Sequence, residues 1–296
     1  MNPMATVEQT TSIAELRPGC EIAGVFACTR KDRLTAKSGS PYLAVELRDR
    51  SGAIPARAFR DADFLAGQFD RGDLVAVEGR VERFREELQL ELRSIRRAEA
   101  ADPAAFLPTA YRDLDELDGF LEHLAREVYD PDLRALLESF LGDHAFRAEL
   151  RRFPCTRAGH HAYLGGLLEH TVAVATLALE SCVLHPRLNS DLLISAAIMH
   201  DAGKTREFEL GAEIALSEAG ALVGHTVLGQ QLVLERSRRL DRFPDEKLHA
   251  LSHCILAHHG PEPLPGRRFR SAEALALFRL NALDASVKGA LEHGLP

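Results

Sequence analysis

The chain lacks the marks of a secreted, membrane or zinc-ribbon protein. Its five cysteines, Cys20, Cys28, Cys155, Cys182 and Cys254, are scattered, odd in number and form no C-x-x-C. That argues against a ribbon-type zinc site or a disulfide framework and leaves free buried thiols as the expectation. No run of about 18 uncharged apolar residues occurs, so no membrane span is expected. The segment from Met1 to Ser12 is polar, without a basic head and an apolar core behind it, so it does not read as a secretory signal. A cytoplasmic location and no membrane partner are the expectation. Tryptophan, internal repeats and low-complexity tracts are also absent.

An excess of positive charge is missing too. The net charge is −8. Residues 1–100 balance 16 Lys and Arg against 16 Asp and Glu, whereas residues 101–296 hold 20 against 28. The whole acidic excess therefore lies in the second part. Such a surface repels a polyanion unless it carries cations, so the imbalance is compatible with bound metal.

What is present divides the 296 residues into two unlike parts. Glu21–Cys28, Tyr42–Asp49, Ala53–Phe59, Asp73–Val81 and Leu88–Leu92 read as five short strands separated by Gly-containing turns, which predicts a small closed barrel. Residues 98–110 are rich in Ala and Pro and read as a linker. From Leu114 onward the apolar residues recur at three and four positions, so residues 111–296 are expected to be all-helical.

All 13 histidines lie at or beyond His123. The key segment is Asp191 to Lys204, D-L-L-I-S-A-A-I-M-H-D-A-G-K, an apolar helix ending in His200-Asp201, with Gly203 read as the helix stop. A carboxylate is almost never buried unless it is paired or binds metal. His170, His225 and the pair His258-His259 sit on three further apolar helices. Ligating imidazoles need partners of their own, and Glu169 and Thr226 are the sequence neighbours available. Lys204 offers a positive charge to a phosphate oxygen.

Two resemblances emerge from these segments. The ordered run K-x-x-L-T-A-K-S-G-S-P-Y-L, L-x-D-R-S-G-x-I-x-A, F-x-x-G-D-L-V-x-V-E-G-x-V and L-Q-L, over residues 12–97, resembles the OB-fold of nucleic-acid-binding proteins. It implies a surface for single strands, with Arg30, Lys31, Arg33 and Lys37 near the first hairpin and Tyr42 and Phe59 as stacking rings. The set H-H-x-Y-x-G-G-L-L-E-H-T from His160, H-D-x-G-K from His200, G-H-x-x-x-G from Gly224 and H-H-G from His258 resembles the HD superfamily of metal-dependent phosphohydrolases. Together the two parts resemble the YhaM-type 3′→5′ exoribonucleases.

That resemblance implies a two-domain chain: an OB-fold at 12–97, a linker at 98–110 and an HD domain at 111–296. It also implies two divalent ions drawn from Mn²⁺, Fe²⁺, Co²⁺, Ni²⁺ or Mg²⁺. His170, His200 and Asp201 would hold the first, and Asp201 would bridge to a second held by His225, His258 and His259. Asp201 and Lys204 would act on the scissile phosphate, and His160 and His161 are candidates for substrate contact. The substrate would be single-stranded nucleic acid, RNA in preference to DNA, and a homo-oligomer is possible.

The sequence departs from the HD pattern at one place. Where a metal-binding Asp stands on the last helix, this chain has Asn281, and Asp284 follows one turn later. Either residue is therefore a candidate ligand. The departure keeps two alternatives open: an HD phosphohydrolase of nucleotides or another small phosphoester, and a nucleic-acid-binding protein with a degenerate HD domain.

Overall fold

The structure is a computed structural model that describes residues 12–36, 39–85, 87–98 and 106–295. The chain forms two compact units. One comprises the residues up to Pro108 with Leu210–Ile214, the other Thr109–Glu209 and Ala215–Pro296.

In the first unit, β1 (Glu21–Thr35), β2 (Pro41–Asp49), β3 (Gly52–Ala58), β4 (Leu74–Phe84) and β5 (Glu87–Arg97) close into a barrel in the order β1-β2-β3-β5-β4. Side chains alternate across each strand. Leu43, Val45 and Leu47 on β2 and Val75, Val77 and Val81 on β4 thus point inward and are buried. β1 shifts register between Cys28 and Arg30. That bulge bends the strand, so its first half pairs with β4 and its second half with β2. Between β3 and β4 lies α1 (Ala62–Ala66), which buries Ala62, Leu65 and Ala66 in the barrel core. The sequence reading missed it, because five residues are too few to display a helical period.

The second unit consists of α2 (Leu114–Arg126), α3 (Pro131–Leu141), α4 (His144–Arg152), α5 (Gly166–Leu184), α6 (Ser190–Met199), α7 (Lys204–Glu207), α8 (Glu218–Ser237), α9 (Asp245–Ala257) and α10 (Ala272–His293), with one small hairpin. Asp113, Asp130, Asp143, Asn189, Ser217 and Ser271 cap helix starts by accepting main-chain N–H bonds. By length and composition α5 is apolar enough to cross a membrane. It packs on α2, α4, α6 and α10, however, and buries the polar residues Glu169, His170 and Thr171. That is the position of a core helix.

One expectation needs correction, and one segment can be placed. The second part is not all-helical, because β6 (Phe208–Leu210) and β7 (Ile214–Leu216) form a hairpin. Its tip belongs to the first unit, where Ala212 is buried with Ala27, Leu74 and Phe106 and Glu213 accepts hydrogen bonds from Arg71. The linker expected over 98–110 is also packed at its described end: Phe106 and Leu107 are buried, and Thr109 pairs with Leu164.

Candidate metal centre

Four helices of the second unit deliver imidazoles to one place. His170 comes from the first turns of α5. His200 caps the end of α6, with Asp201 next in the chain. His225 follows the break in α8 at Gly224, and His258 caps α9 ahead of His259. The His-Asp turn lies directly against the α8 main chain. A side chain at Gly203 would collide with the carbonyl of His225 and the backbone of Gly229. Gly203 has helical angles, φ −66° and ψ −16°, so it is not the left-handed stop expected from sequence. It is there because only glycine lets the two main chains approach so closely.

Asp201 is buried at the centre, and its two oxygens face two sets of donors. Oδ2 lies 3.4 Å from His170 Nε2 and 3.4 Å from His200 Nε2. Oδ1 lies 3.5 Å from His225 Nε2 and 3.4 Å from His258 Nε2. His259 joins the second set with its Nε2 2.9 Å from that of His225. Oδ1 is buried and has no hydrogen-bond partner. An unsatisfied buried carboxylate oxygen is costly and calls for an explanation.

The other ring nitrogens supply it. His200 Nδ1 donates to the Ala197 carbonyl at 2.8 Å and His258 Nδ1 to the Ile255 carbonyl at 2.6 Å. His225 Nδ1 donates to Glu207 Oε1 at 3.0 Å and His170 Nδ1 to Asp284 Oδ2 at 2.6 Å. This assignment of protons leaves each Nε2 with its lone pair facing inward. The inward nitrogens then stand 3.2 Å apart in the pair His170 and His200, with no proton to share. Such lone pairs repel unless a cation lies between them. Atoms about 2.1 Å from a common ion are separated by roughly 3.0 Å at adjacent octahedral positions and 3.4 Å at tetrahedral ones. The observed separations, 2.9 to 3.5 Å, fit those edges. The donor set on either side of Asp201 therefore suits metal binding.

The electrostatics agree. Burial pushes the imidazoles of His170 and His258 down to about 4, so both are neutral at pH 7, the form that coordinates a cation. Burial also works against the Asp201 charge, but the Lys204 ammonium 2.7 Å away outweighs it and holds the carboxyl well below the usual range.

The remaining expected site residues fall in distinct places. Asn281 is buried, with Oδ1 3.0 Å from the inward Nε2 of His170 and Nδ2 donating to the His258 carbonyl. Asp284 takes the opposite nitrogen of the same ring and also accepts from His161 Nε2 at 3.0 Å. His161 is 1% exposed, and its other nitrogen meets the Tyr163 hydroxyl at 3.0 Å. It stands behind Asp284 with both nitrogens engaged, not on a substrate-facing surface. His160 is only partly buried, and its ring centre lies 5.6 Å from that of His170. Lys204 is buried, and its ammonium is shared between Asp201 and Cys155 Sγ at 3.2 Å.

The partners expected for the imidazoles are corrected as well. Glu169 accepts from the Tyr163 hydroxyl and Lys288 and lies 3.6 Å from His161 Nδ1, and none of these three groups faces Asp201. Glu207 is the residue that sequence reasoning missed. Its one signal is its place in the turn after H-D-x-G-K, which says nothing about its reach to α8.

In the barrel, Lys37 lies outside the described residues. Arg30 pairs with Asp32 at 2.5 Å and is otherwise exposed, and Arg33 pairs with Asp63 at 3.2 Å. Lys31 is tied down, because its ammonium donates to the Phe69 carbonyl and lies 4.7 Å from that ring's centre. Tyr42 stacks on Phe59 with centroids 5.4 Å apart, and the guanidinium of Arg57 lies over both Tyr42 and Phe84. Phe59 and Phe84 are about half exposed, at 51% and 48%. Arg57 and Phe84 are additions to the expected patch. Arg57 lies on β3 and Phe84 at the end of β4, with β5 between the two strands.

A closed five-stranded barrel and a helical unit with an H…HD…H…HH donor cluster define an OB-fold joined to an HD-type metal phosphohydrolase. Family models agree: one described as an OB-fold nucleic acid binding domain matches residues 25–98, and one described as HD domain matches residues 167–286. A third, described as a putative helicase, matches residues 100–189. That stretch contains no lysine, so it holds no G-x-x-x-x-G-K-[ST] phosphate loop. The chain is 30% identical over 230 residues to the 3′-5′ exoribonuclease YhaM of Bacillus subtilis, covering 76% of this chain and 72% of that protein. It is also 30% identical to YhaM of Bacillus velezensis, over 82% of this chain and 77% of that one. The YhaM of Oceanobacillus iheyensis is 28% identical over 91% of this chain and 85% of its own length. The chain belongs to the YhaM family of 3′-5′ exoribonucleases.

Proposed function

We propose that this protein is a metal-dependent 3′→5′ exoribonuclease that hydrolyses single-stranded RNA at its HD centre and grips the strand with its OB-fold. The observation that carries the reading is Asp201, buried between two sets of inward-facing imidazoles with one oxygen left without a protein partner.

His170, His200, Asp201 Oδ2 and the Asn281 carbonyl would hold one divalent ion. Asp201 Oδ1, His225, His258 and His259 would hold the second. Bound there, the pair of ions supplies a polarised phosphate and a water with a lowered pKa. Asp201 would offer one oxygen to each ion. Glu207, Asp284 and the carbonyls of Ala197 and Ile255 keep the ligand rings in the coordinating tautomer and orientation. Lys204 balances the Asp201 charge and offers a cation that would attract a phosphate.

On the barrel, Tyr42, Phe59 and Phe84 present faces for bases, and Arg57 and Arg30 offer cations to the backbone. The chain's overall acidity makes such a grip necessary for a polyanionic substrate. The reading puts the protein in the cytoplasm and divides it into an OB domain at 12–97, a linker at 98–110 and an HD domain at 111–296.

The test is full-length protein with Mn²⁺ on single-stranded RNA labelled at its 5′ end. A ladder of labelled products shortening from the 3′ end is expected, and Asp201→Asn abolishes it. Release of the label as a mononucleotide at the outset, or equal turnover by Asp201→Asn, would overturn the reading.

A further inference from the structure

The two sides of Asp201 differ in charge. Oδ2 serves two neutral imidazoles and the neutral Asn281 carbonyl, and it is already faced by the Lys204 ammonium at 2.7 Å. Carboxylate and ammonium cancel, so this side offers a dication little net negative charge. A buried thiol stands beside it. Cys155 Sγ lies 3.7 Å from Asp201 Oδ2, 3.2 Å from Lys204 Nζ and 3.8 Å from His160 Nε2. Cys155, His160 and His170 each offer a donor within 4.8 Å of the others. A thiolate about 2.3 Å and an imidazole nitrogen about 2.1 Å from one ion stand roughly 3.1 Å apart at adjacent octahedral positions and 3.6 Å at tetrahedral ones. The 3.8 Å separation lies near the wider of these.

The segment carrying these donors is fastened at both ends. The Cys155 N–H donates to the His161 carbonyl at 3.0 Å, and the Thr156 hydroxyl donates to the His160 carbonyl at 2.7 Å. The Leu167 N–H of α5 donates to the Phe153 carbonyl at 3.1 Å. Cys155 and His160 are thus held against the helix that carries His170.

We infer that Cys155 is a ligand of the cation on the Oδ2 side, with His160 as its companion donor, the thiolate supplying the negative charge that Asn281 does not. This rests on the reading that cations occupy both sides of Asp201. Binding replaces the thiol proton with the metal–sulfur bond, and the proton leaves to solvent. Lys204 then pairs with the face of the sulfur turned away from the ion. A thiolate in the shell selects softer ions such as Zn²⁺, Fe²⁺ and Co²⁺ over Mg²⁺ at that position.

The experiment is cobalt loading of the full-length protein, read by absorption and by metal analysis. Wild type is expected to show a sulfur-to-cobalt charge-transfer band in the near ultraviolet besides the visible cobalt bands. Cys155→Ser and Cys155→Ala lose the ultraviolet band, keep visible absorption from the other position and bind one of the two ions at least tenfold more weakly. His160→Ala shifts the band. Circular dichroism checks that each variant folds, and the wild-type spectrum is decisive even where a variant does not. Two equivalents of cobalt without a sulfur band overturn this inference and leave the two-cation reading standing, as does a band that survives in both Cys155 variants. No cobalt bound by wild type overturns the two-cation reading and this inference with it.

Discussion

Glu207 offers the sharpest test of how the centre is held. Its Oε1 accepts from both the ring Nδ1 and the main-chain N–H of His225, each at 3.0 Å. Burial opposes its charge, but those donors hold its carboxyl below the ordinary value. Glu207→Ala removes both bonds, frees the ring to turn and lets the proton move to the coordinating nitrogen. Loss of such an outer partner costs about 10- to 100-fold in metal affinity, or about 1.4 to 2.8 kcal/mol. Glu207→Gln keeps an oxygen acceptor and loses only the charge, so its cost is expected below about tenfold. Only the cation held by His225, His258 and His259 is affected, because Glu207 touches no ligand of the other set. Calorimetric metal titration of each variant should therefore show one weakened and one unchanged site, with turnover recovering at saturating metal. Equal weakening of both sites, or wild-type affinity in Glu207→Ala, would refute the reasoning.

Further outcomes are expected elsewhere. Asp201→Ala leaves the Lys204 ammonium buried without its partner and should destabilise the metal-free protein by about 3 to 5 kcal/mol in urea unfolding, whereas Asp201→Asn costs less. Tyr42→Ala with Phe59→Ala should weaken binding of single-stranded oligonucleotides by about 1 to 3 kcal/mol per lost stack, with metal content and hydrolysis of a small phosphodiester unchanged. Lys247 bridges Asp130 and Asp132 at 2.5 and 2.6 Å, and burial of Asp130 is outweighed by that ammonium, which lowers its carboxyl. A depressed carboxyl contributes stability above its unfolded pKa and loses it as pH falls through its folded one. The stability gap between wild type and Lys247→Met, about 1 kcal/mol or less after solvent screening, should therefore be full at pH 7 and close in strong acid. Chelation of bound metal should lower the melting temperature, since ligands held only by the folded state stabilise it.

Much of the centre was legible because its donors sit in local patterns. His170, His200, His225 and His258 each lie on an apolar helical stretch, and the period of that stretch fixes which way they face. Long-range partners were not legible. Glu207 reaches His225 across 18 positions, and Cys155 reaches Asp201 across 46, distances over which no periodicity carries information. The choice between Asn281 and Asp284 stayed open for a subtler reason. Residues three apart share roughly one helix face, and here that closeness lets them straddle a single ring, one at each nitrogen. The barrel strands were visible from alternation, but α1 and the hairpin of β6 and β7 were too short to leave a period.

The contact between Gly203 and Gly229 reaches beyond packing. Side chains can flex by fractions of an ångström, but two main chains pressed together without a Cβ between them cannot slide or separate without breaking helix geometry. The strand of chain that carries Asp201 and the one that carries His225 are therefore clamped at a fixed gauge. That gauge is built into the backbone, like the jaw width of a fixed spanner, and exchanging the ligand side chains leaves it unaltered.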